Sequence, residues 1–210
     1  MLDKNGFDKW ASSYDKTVVG DDLAGEYPFA GYSAVLRCVR EMVKEPRGAE
    51  ILDIGVGTGK FTSGLYAAGA KIYGVDFSAG MLERSREIMP QGEFYLFDFN
   101  SGLPPALRER KFGYIISAYA FHHLDEQGKA DFLRSLVCNL KTGGTIIIAD
   151  VAFETSAGLA ACRERSGKKW DDSEIYMVAG TLLPLLESFG LKAEYRQVSN
   201  CAGILTLSAK

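Results

Sequence analysis

The chain has 210 residues, enough for one α/β domain with a full core and little room for a second. Its formal net charge is -3, with 47% hydrophobic and 24% charged residues, so its average gives no sign of a basic, polyanion-binding face. No run reaches the length of a membrane span and the first residues lack the basic and apolar regions of a secretory leader, so the expectation is a cytoplasmic protein with neither membrane nor nucleic acid as partner.

In chain order, helical patterning occupies 7–14 and 29–43. From about residue 50 onward, apolar runs at 50–54, 71–75, 93–97, 114–117 and 145–149 alternate with amphipathic stretches at 61–68, 81–88 and 127–140. Runs such as Ile146-Ile147-Ile148-Ala149 lack polar alternation, as parallel strands covered on both faces do. The segment 157–177 is polar, with Trp170 and Tyr176 set in it. A helix at 180–189 is stopped by Gly190, and strands at 192–198 and 203–207 form a hairpin. The pattern implies one domain, 1–210: a doubly wound, mostly parallel seven-stranded sheet with a C-terminal antiparallel hairpin strand. Residues 1–45 then supply a helical lid or N-terminal extension, and 155–178 a substrate-covering insertion. Cys38, Cys138, Cys162 and Cys201 are scattered without a C-x-x-C pair, and three of them sit in apolar patterns. They read as reduced thiols, and no metal is expected.

The most informative stretch is Asp53-Ile54-Gly55-Val56-Gly57-Thr58-Gly59-Lys60-Phe61, a strand that passes through three alternate glycines into a helix. Glycines let a ligand approach the backbone, and the helix start offers unpaired N–H groups to an anion. A dinucleotide turn requires glycine where Lys60 stands. A P-loop requires one more residue between its glycines and a hydroxyl where Phe61 stands. What remains, an acidic residue followed by G-x-G-x-G, resembles the first motif of class I S-adenosylmethionine-dependent methyltransferases.

The resemblance extends along the chain through Gly74-Val75-Asp76-Phe77-Ser78, Leu96-Phe97-Asp98-Phe99, Ser117-Ala118-Tyr119-Ala120-Phe121-His122-His123 and Lys141-Thr142-Gly143-Gly144. An opening of Phe7 to Asp15 is similar to the cofactor-covering helix of small-molecule members. With the double histidine, it looks most like small uncharacterised bacterial methyltransferases of sulfur-metabolism operons. The family implies a Rossmann-like fold, S-adenosylmethionine as cofactor and a small-molecule acceptor. Carried over residue by residue, Asp53, Gly55, Gly57, Gly59, Asp76, Phe77, Met81, Asp98, Phe99 and Ser117 hold the donor, with Asp76 on the ribose and Asp98 near the adenine. Tyr14, Tyr119, His122 and His123 surround the acceptor.

Structural alternatives stand beside these roles. Asp53 can orient the glycine turn, Asp98 can cap a turn over Asn100-Ser101-Gly102, Met81 can be core, and either histidine can shape the pocket instead of acting as a base. Trp10 and Tyr14 share one helix face and serve equally as lid or anchor. No Asn-Pro-Pro-Tyr-like segment follows the fourth strand, which weighs against planar nitrogens as acceptors. A binder that holds the donor without turnover is the competing class. Oligomeric state is not legible.

Overall fold

The computed structural model describes residues 14–208, with side chains from Asp15 onward. Its strands are β1 (Glu50–Ile54), β2 (Lys71–Asp76), β3 (Glu93–Leu96), β4 (Phe112–Ala118), β5 (Leu140–Phe153), β6 (Met177–Val178), β7 (Ala193–Gln197) and β8 (Ala202–Ser208). The sheet order is β3-β2-β1-β4-β5-β8-β7, and the two-residue β6 pairs with the end of β5. The sheet therefore holds eight strands, the seven expected and one short addition. β1 to β5 run parallel, and β8 lies antiparallel between β5 and β7, as a terminal hairpin dictates.

The β5 run explains the doubly wound packing. Ile146 and Ile148 point into one apolar cluster, Ile147 and Ala149 into the other, because successive side chains leave opposite faces of a strand. On one face lie α2 (Tyr32–Met42), α3 (Ser63–Ala67), α4 (Ala79–Ile88) and α6 (Ser156–Ser166). On the other lie α5 (Glu126–Val137) and α7 (Ala179–Ser188), which bury Leu133, Leu136, Leu182 and Leu186.

Three boundaries differ from expectation for physical reasons. α3 starts at Ser63, not 61, because Phe61 and Thr62 still belong to the turn that closes on Asp53. α1 (Tyr14–Ala24) begins where the first predicted helix ends; the rest of that helix, with Trp10, lies outside the described residues. α2, within the segment expected as a helical lid or N-terminal extension, packs as a layer of the core, with Val35, Cys38 and Val39 buried. Among the described residues, no helix is long and apolar enough to cross a membrane. The four cysteines are all free thiols, with Cys38, Cys162 and Cys201 buried as expected.

The sheet order reverses between β1 and β4. Helices leave those strands toward opposite faces, which opens a crevice at the carboxyl ends of the strands. Asp53, Gly55, Gly57, Asp76, Phe77, Met81, Phe99, Tyr119 and His123 line that crevice.

Candidate functional site

The crevice floor is the turn after β1. Gly55 and Val56 donate to the Val75 carbonyl at 2.8 and 3.1 Å, which ties the turn to β2. Gly57 has φ +56°, and a Cβ built on it meets nothing closer than the Gly55 carbonyl at 4.0 Å, so bare backbone faces the crevice. Gly59 also has positive φ, but its Cβ would stand 2.7 Å from Met89 and 2.8 Å from Ser85. Gly59 therefore packs the turn onto the end of α4, a role that stands beside its expected one as a cofactor contact.

Two carboxylates hold this floor. Asp76 accepts from the Gly57 N–H through Oδ2 and from the Ser78 N–H through Oδ1, both at 2.8 Å. Ser78 in turn caps α4 by accepting from Met81 N, so Asp76 sets both the glycine turn and the helix start that carries Met81. Asp53 is buried and accepts from the Thr62 hydroxyl at 2.6 Å. Burial pushes its carboxyl up to about 7, the Thr62 bond opposing and the nearby Asp76 charge adding to the rise. From above, Asp15 of α1 accepts from the Thr58 hydroxyl at 3.1 Å, pinning that helix on the turn.

The crevice has two lobes that share Gly55, Gly57, Ala118 and Tyr119. One is walled by Asp53, Thr58, Lys60, Phe61 and Tyr32. The other is walled by Asp76, Phe77, Met81, Phe99, Ala120 and His123. Tyr119 has φ +52°, an unusual conformation for a residue with a Cβ. Its ring packs against Phe29 and Tyr32 at centroid distances of 5.2 and 5.4 Å. This aromatic packing holds the ring at the junction of the lobes.

Asp98 and Ser117 sit differently from the donor-site expectation. Asp98 is exposed, lies outside the crevice lining, and caps the helical turn Phe99–Ser101 by accepting from Asn100 N at 2.9 Å. Ser117 is buried and its hydroxyl donates to the Ile54 carbonyl at 2.8 Å, joining β4 to β1 below the crevice. Tyr14 opens α1, and its side chain lies outside the described residues.

The two histidines divide. His122 is buried, its Nδ1 2.8 Å from Asp150 Oδ1 and its Nε2 3.5 Å from Glu174 Oε1. Burial alone would lower its pKa, but Asp150 and Glu174 outweigh that and hold it above the ordinary histidine range. Asp150, buried at the end of β5, also accepts from the Phe121 and His122 N–H groups at 2.7 and 3.1 Å. The His122 charge and its ring hydrogen bond, with the Val151 N–H and Lys129, overcome its burial and hold its carboxyl low. Among the described residues His122 is not in the wall of either lobe and lies behind His123, beside Asp150 and Glu174. His123 does line the crevice, and burial together with the neighbouring His122 pulls its pKa down to about 4.

A strap at 170–176 completes this end. Glu174 accepts from the Tyr176 hydroxyl at 2.9 Å, and Tyr176 meets the Tyr27 hydroxyl. Trp170 stacks on Tyr27 at 4.9 Å, and buried Lys129 donates to the Ile175 carbonyl at 2.7 Å. Sequence reasoning missed Asp150, Glu174 and Tyr27. The signal for Asp150 was present: a carboxylate directly after Ile146-Ile147-Ile148-Ala149, in the position Asp76 holds after β2. Glu174 and Tyr27 carry no local signal, since only the fold brings them together.

Comparison with known proteins fits this geometry. A family model described as a methyltransferase domain matches residues 51–144, from β1 into β5. An uncharacterized methyltransferase of Geobacillus kaustophilus is 32% identical over 204 residues, covering 91% of this chain and 89% of that one. One from Anoxybacillus flavithermus is 36% identical over 152 residues, covering 70% of this chain and 66% of its own. Magnesium protoporphyrin IX methyltransferase of Synechocystis PCC 6803, solved with bound S-adenosylhomocysteine, superposes with a TM-score of 0.72 at 17% identity over 99% of this chain and all of that one. The chain belongs to the class I S-adenosylmethionine-dependent methyltransferases.

Proposed function

We propose that this methyltransferase acts on a small-molecule acceptor by in-line displacement, with the acceptor entering at the His123 and Tyr119 end of the crevice. The observation that carries the reading is the continuity of the two lobes through Gly55, Gly57, Ala118 and Tyr119. A donor spread over both would have its reacting centre beside Tyr119, next to His123. The residues fit such a donor: Asp53, Thr58 and Lys60 suit a zwitterionic end, Asp76 a pair of hydroxyls, and Met81 with Phe99 a flat ring. When bound, S-adenosylmethionine supplies a methyl group on a sulfonium, already a good leaving group.

The chain's own work is then placement and exclusion of water, which can supply several kcal/mol without a dedicated acid or base. Tyr119, wedged by Phe29 and Tyr32, presents a fixed wall at the lobe junction. His123 offers a neutral imidazole to the acceptor side. The strap at 170–176, fastened through Tyr27 and Lys129, packs behind His123 through the Glu174 contact with His122. Free cysteines throughout suit a reducing compartment such as the cytoplasm.

Calorimetric titration with S-adenosylhomocysteine, NAD and ATP tests the donor site, and micromolar binding of the first alone is expected. Transfer of labelled methyl from S-adenosylmethionine into a small-metabolite fraction tests the reaction. Donor binding with label entering only protein or nucleic acid would overturn the small-acceptor reading.

A further inference from the structure

Behind the crevice, His122, His123 and Glu174 each bring one potential ligand atom within 4.8 Å of the others. The arrangement around them is more specific than a chance cluster. His122 Nδ1 lies 2.8 Å from Asp150 Oδ1, so a neutral imidazole donates that proton to the carboxylate and turns the Nε2 lone pair toward Glu174. A hydrogen-bonded carboxylate on the far nitrogen is the usual support of a metal-ligating histidine. Glu174 is oriented in the same way, because the Tyr176 hydroxyl takes its Oε2 at 2.9 Å and leaves Oε1 facing His122. The Phe121 and His122 N–H bonds to Asp150 fix the backbone from which both histidines project.

The one ligand pair with a known separation has tetrahedral spacing, and the third atom lies within 4.8 Å of both. Ligands about 2.0–2.1 Å from a tetrahedral ion stand about 3.3 Å apart. His122 Nε2 and Glu174 Oε1 are 3.5 Å apart. We propose that His122, His123 and Glu174 form a mononuclear site for a first-row divalent transition metal of the zinc type, with Asp150 and Tyr176 as outer supports. Two imidazoles and one carboxylate give three protein ligands and leave one coordination position open. His123 also lines the donor crevice, so the site adjoins that crevice. A hydroxyl or thiol acceptor coordinated there would lose its proton to water and be held for attack. That last role rests on the methyl-transfer reading above; the metal site does not.

An ion pair between protonated His122 and Glu174 is the competing arrangement, since metal and proton compete for the same Nε2. It has no use for His123, and this decides the experiment. Chelator-treated full-length protein is titrated with Zn²⁺ by calorimetry and with Co²⁺ by visible absorbance. One equivalent per chain, bound at micromolar Kd or tighter with d–d bands in the cobalt form, is the expected result. His123→Asn and Glu174→Gln should each weaken Zn²⁺ by about 100-fold, and Asp150→Asn by about 10-fold as an outer support. S-adenosylhomocysteine affinity and circular dichroism of the same samples report folding and the donor site separately. Folded wild-type protein that binds neither ion above background overturns the site, as does a His123→Asn affinity within twofold of wild type. Neither outcome touches the donor reading, which falls only if S-adenosylhomocysteine also fails to bind.

Discussion

The two ends of the crevice are built on different principles. The donor end, walled largely by residues between Asp53 and Phe99, is held by short-range bonds: Asp76 to the glycine turn and Ser78, Asp53 to Thr62, Ser78 to Met81. The end around His123 is backed by Tyr27, the Phe121–His123 turn, Asp150 and the 170–176 strap, with Tyr27 and Tyr176 joined across 149 positions of sequence. A local motif can be inherited whole, while an end built from distant segments can change partner by partner. In a fold that keeps one donor and varies the acceptor, this division is what the chemistry requires.

The sharpest way to break the comparison is to remove the central carboxylate at each end. Asp76→Ala releases two backbone N–H groups of the donor floor, and S-adenosylhomocysteine affinity should fall by about 100-fold or more, close to 3 kcal/mol. Calorimetry within twofold of wild type would show that Asp76 does not organise the donor site. Asp150→Ala should do the reverse. It strands the buried Phe121 and His122 N–H groups, so unfolding free energy should drop by about 3 kcal/mol. Donor affinity should change less than about threefold, since Asp150 is not part of the crevice wall. Denaturant melts and titrations on both variants check the crossing pattern, and parallel losses in both assays would mean the two ends are one unit.

Within the donor end, two glycines separate ligand access from packing. Gly57→Ala adds a methyl group to open space and should cost about 1 kcal/mol in stability through its positive φ, yet weaken S-adenosylhomocysteine about 30-fold by blocking the backbone. Gly59→Ala drives a methyl group into Met89 and Ser85, and should cost about 3 kcal/mol in stability. Should Gly59→Ala melt like wild type, the packing role assigned to it is wrong.

Asp53 makes the donor end respond to pH. Its folded-state pKa, about 7, lies above its unfolded value, so its stabilising contribution is complete below the usual Asp range and disappears as pH rises to about 7. Donor binding should run the other way, because a cationic ammonium beside Asp53 favours the carboxylate. S-adenosylhomocysteine affinity should therefore fall about tenfold from pH 7.5 to 5.5, and binding near pH 6.5 should release protons. Titrations in buffers of different ionisation enthalpy measure that release, and Asp53→Asn should abolish it. A flat affinity profile with no proton release would place the ammonium elsewhere.

This contrast also explains what the sequence could and could not tell. The alternation of strands and helices, the glycine turn, and Asp53 and Asp76 were legible because parallel strands demand continuous apolar runs, and a crevice at their carboxyl ends puts polar residues at the ends of those runs. The packing roles of Gly59 and Ser117 were not legible because they depend on what lies beside them, Met89 and Ser85 for one and the Ile54 carbonyl for the other. The histidines were legible as a pair but not as two roles: only the tertiary positions of Asp150 and Glu174 set His122 behind His123. The packing of α2 against the core was not legible, because amphipathic spacing does not say which layer a helix covers.

The smallest expected effect concerns Asp98, where the cap and the ligand reading make different demands on one side chain. Its Oδ1 accepts from Asn100 N and holds the turn that presents Phe99 to the crevice. Asparagine caps as well as aspartate does but carries no charge, so Asp98→Asn preserves the turn and removes only the carboxylate. If that carboxylate also meets an adenine amino group, S-adenosylhomocysteine affinity should fall about three- to fivefold, near 1 kcal/mol, with the melting temperature unmoved. Asp98→Ala should lose that and about 1 kcal/mol of stability besides, through the missing cap. An Asp98→Asn protein that binds like wild type would leave Asp98 with the cap alone, and would confine the donor's acidic contacts to the two carboxylates that lie in the crevice itself, Asp53 and Asp76.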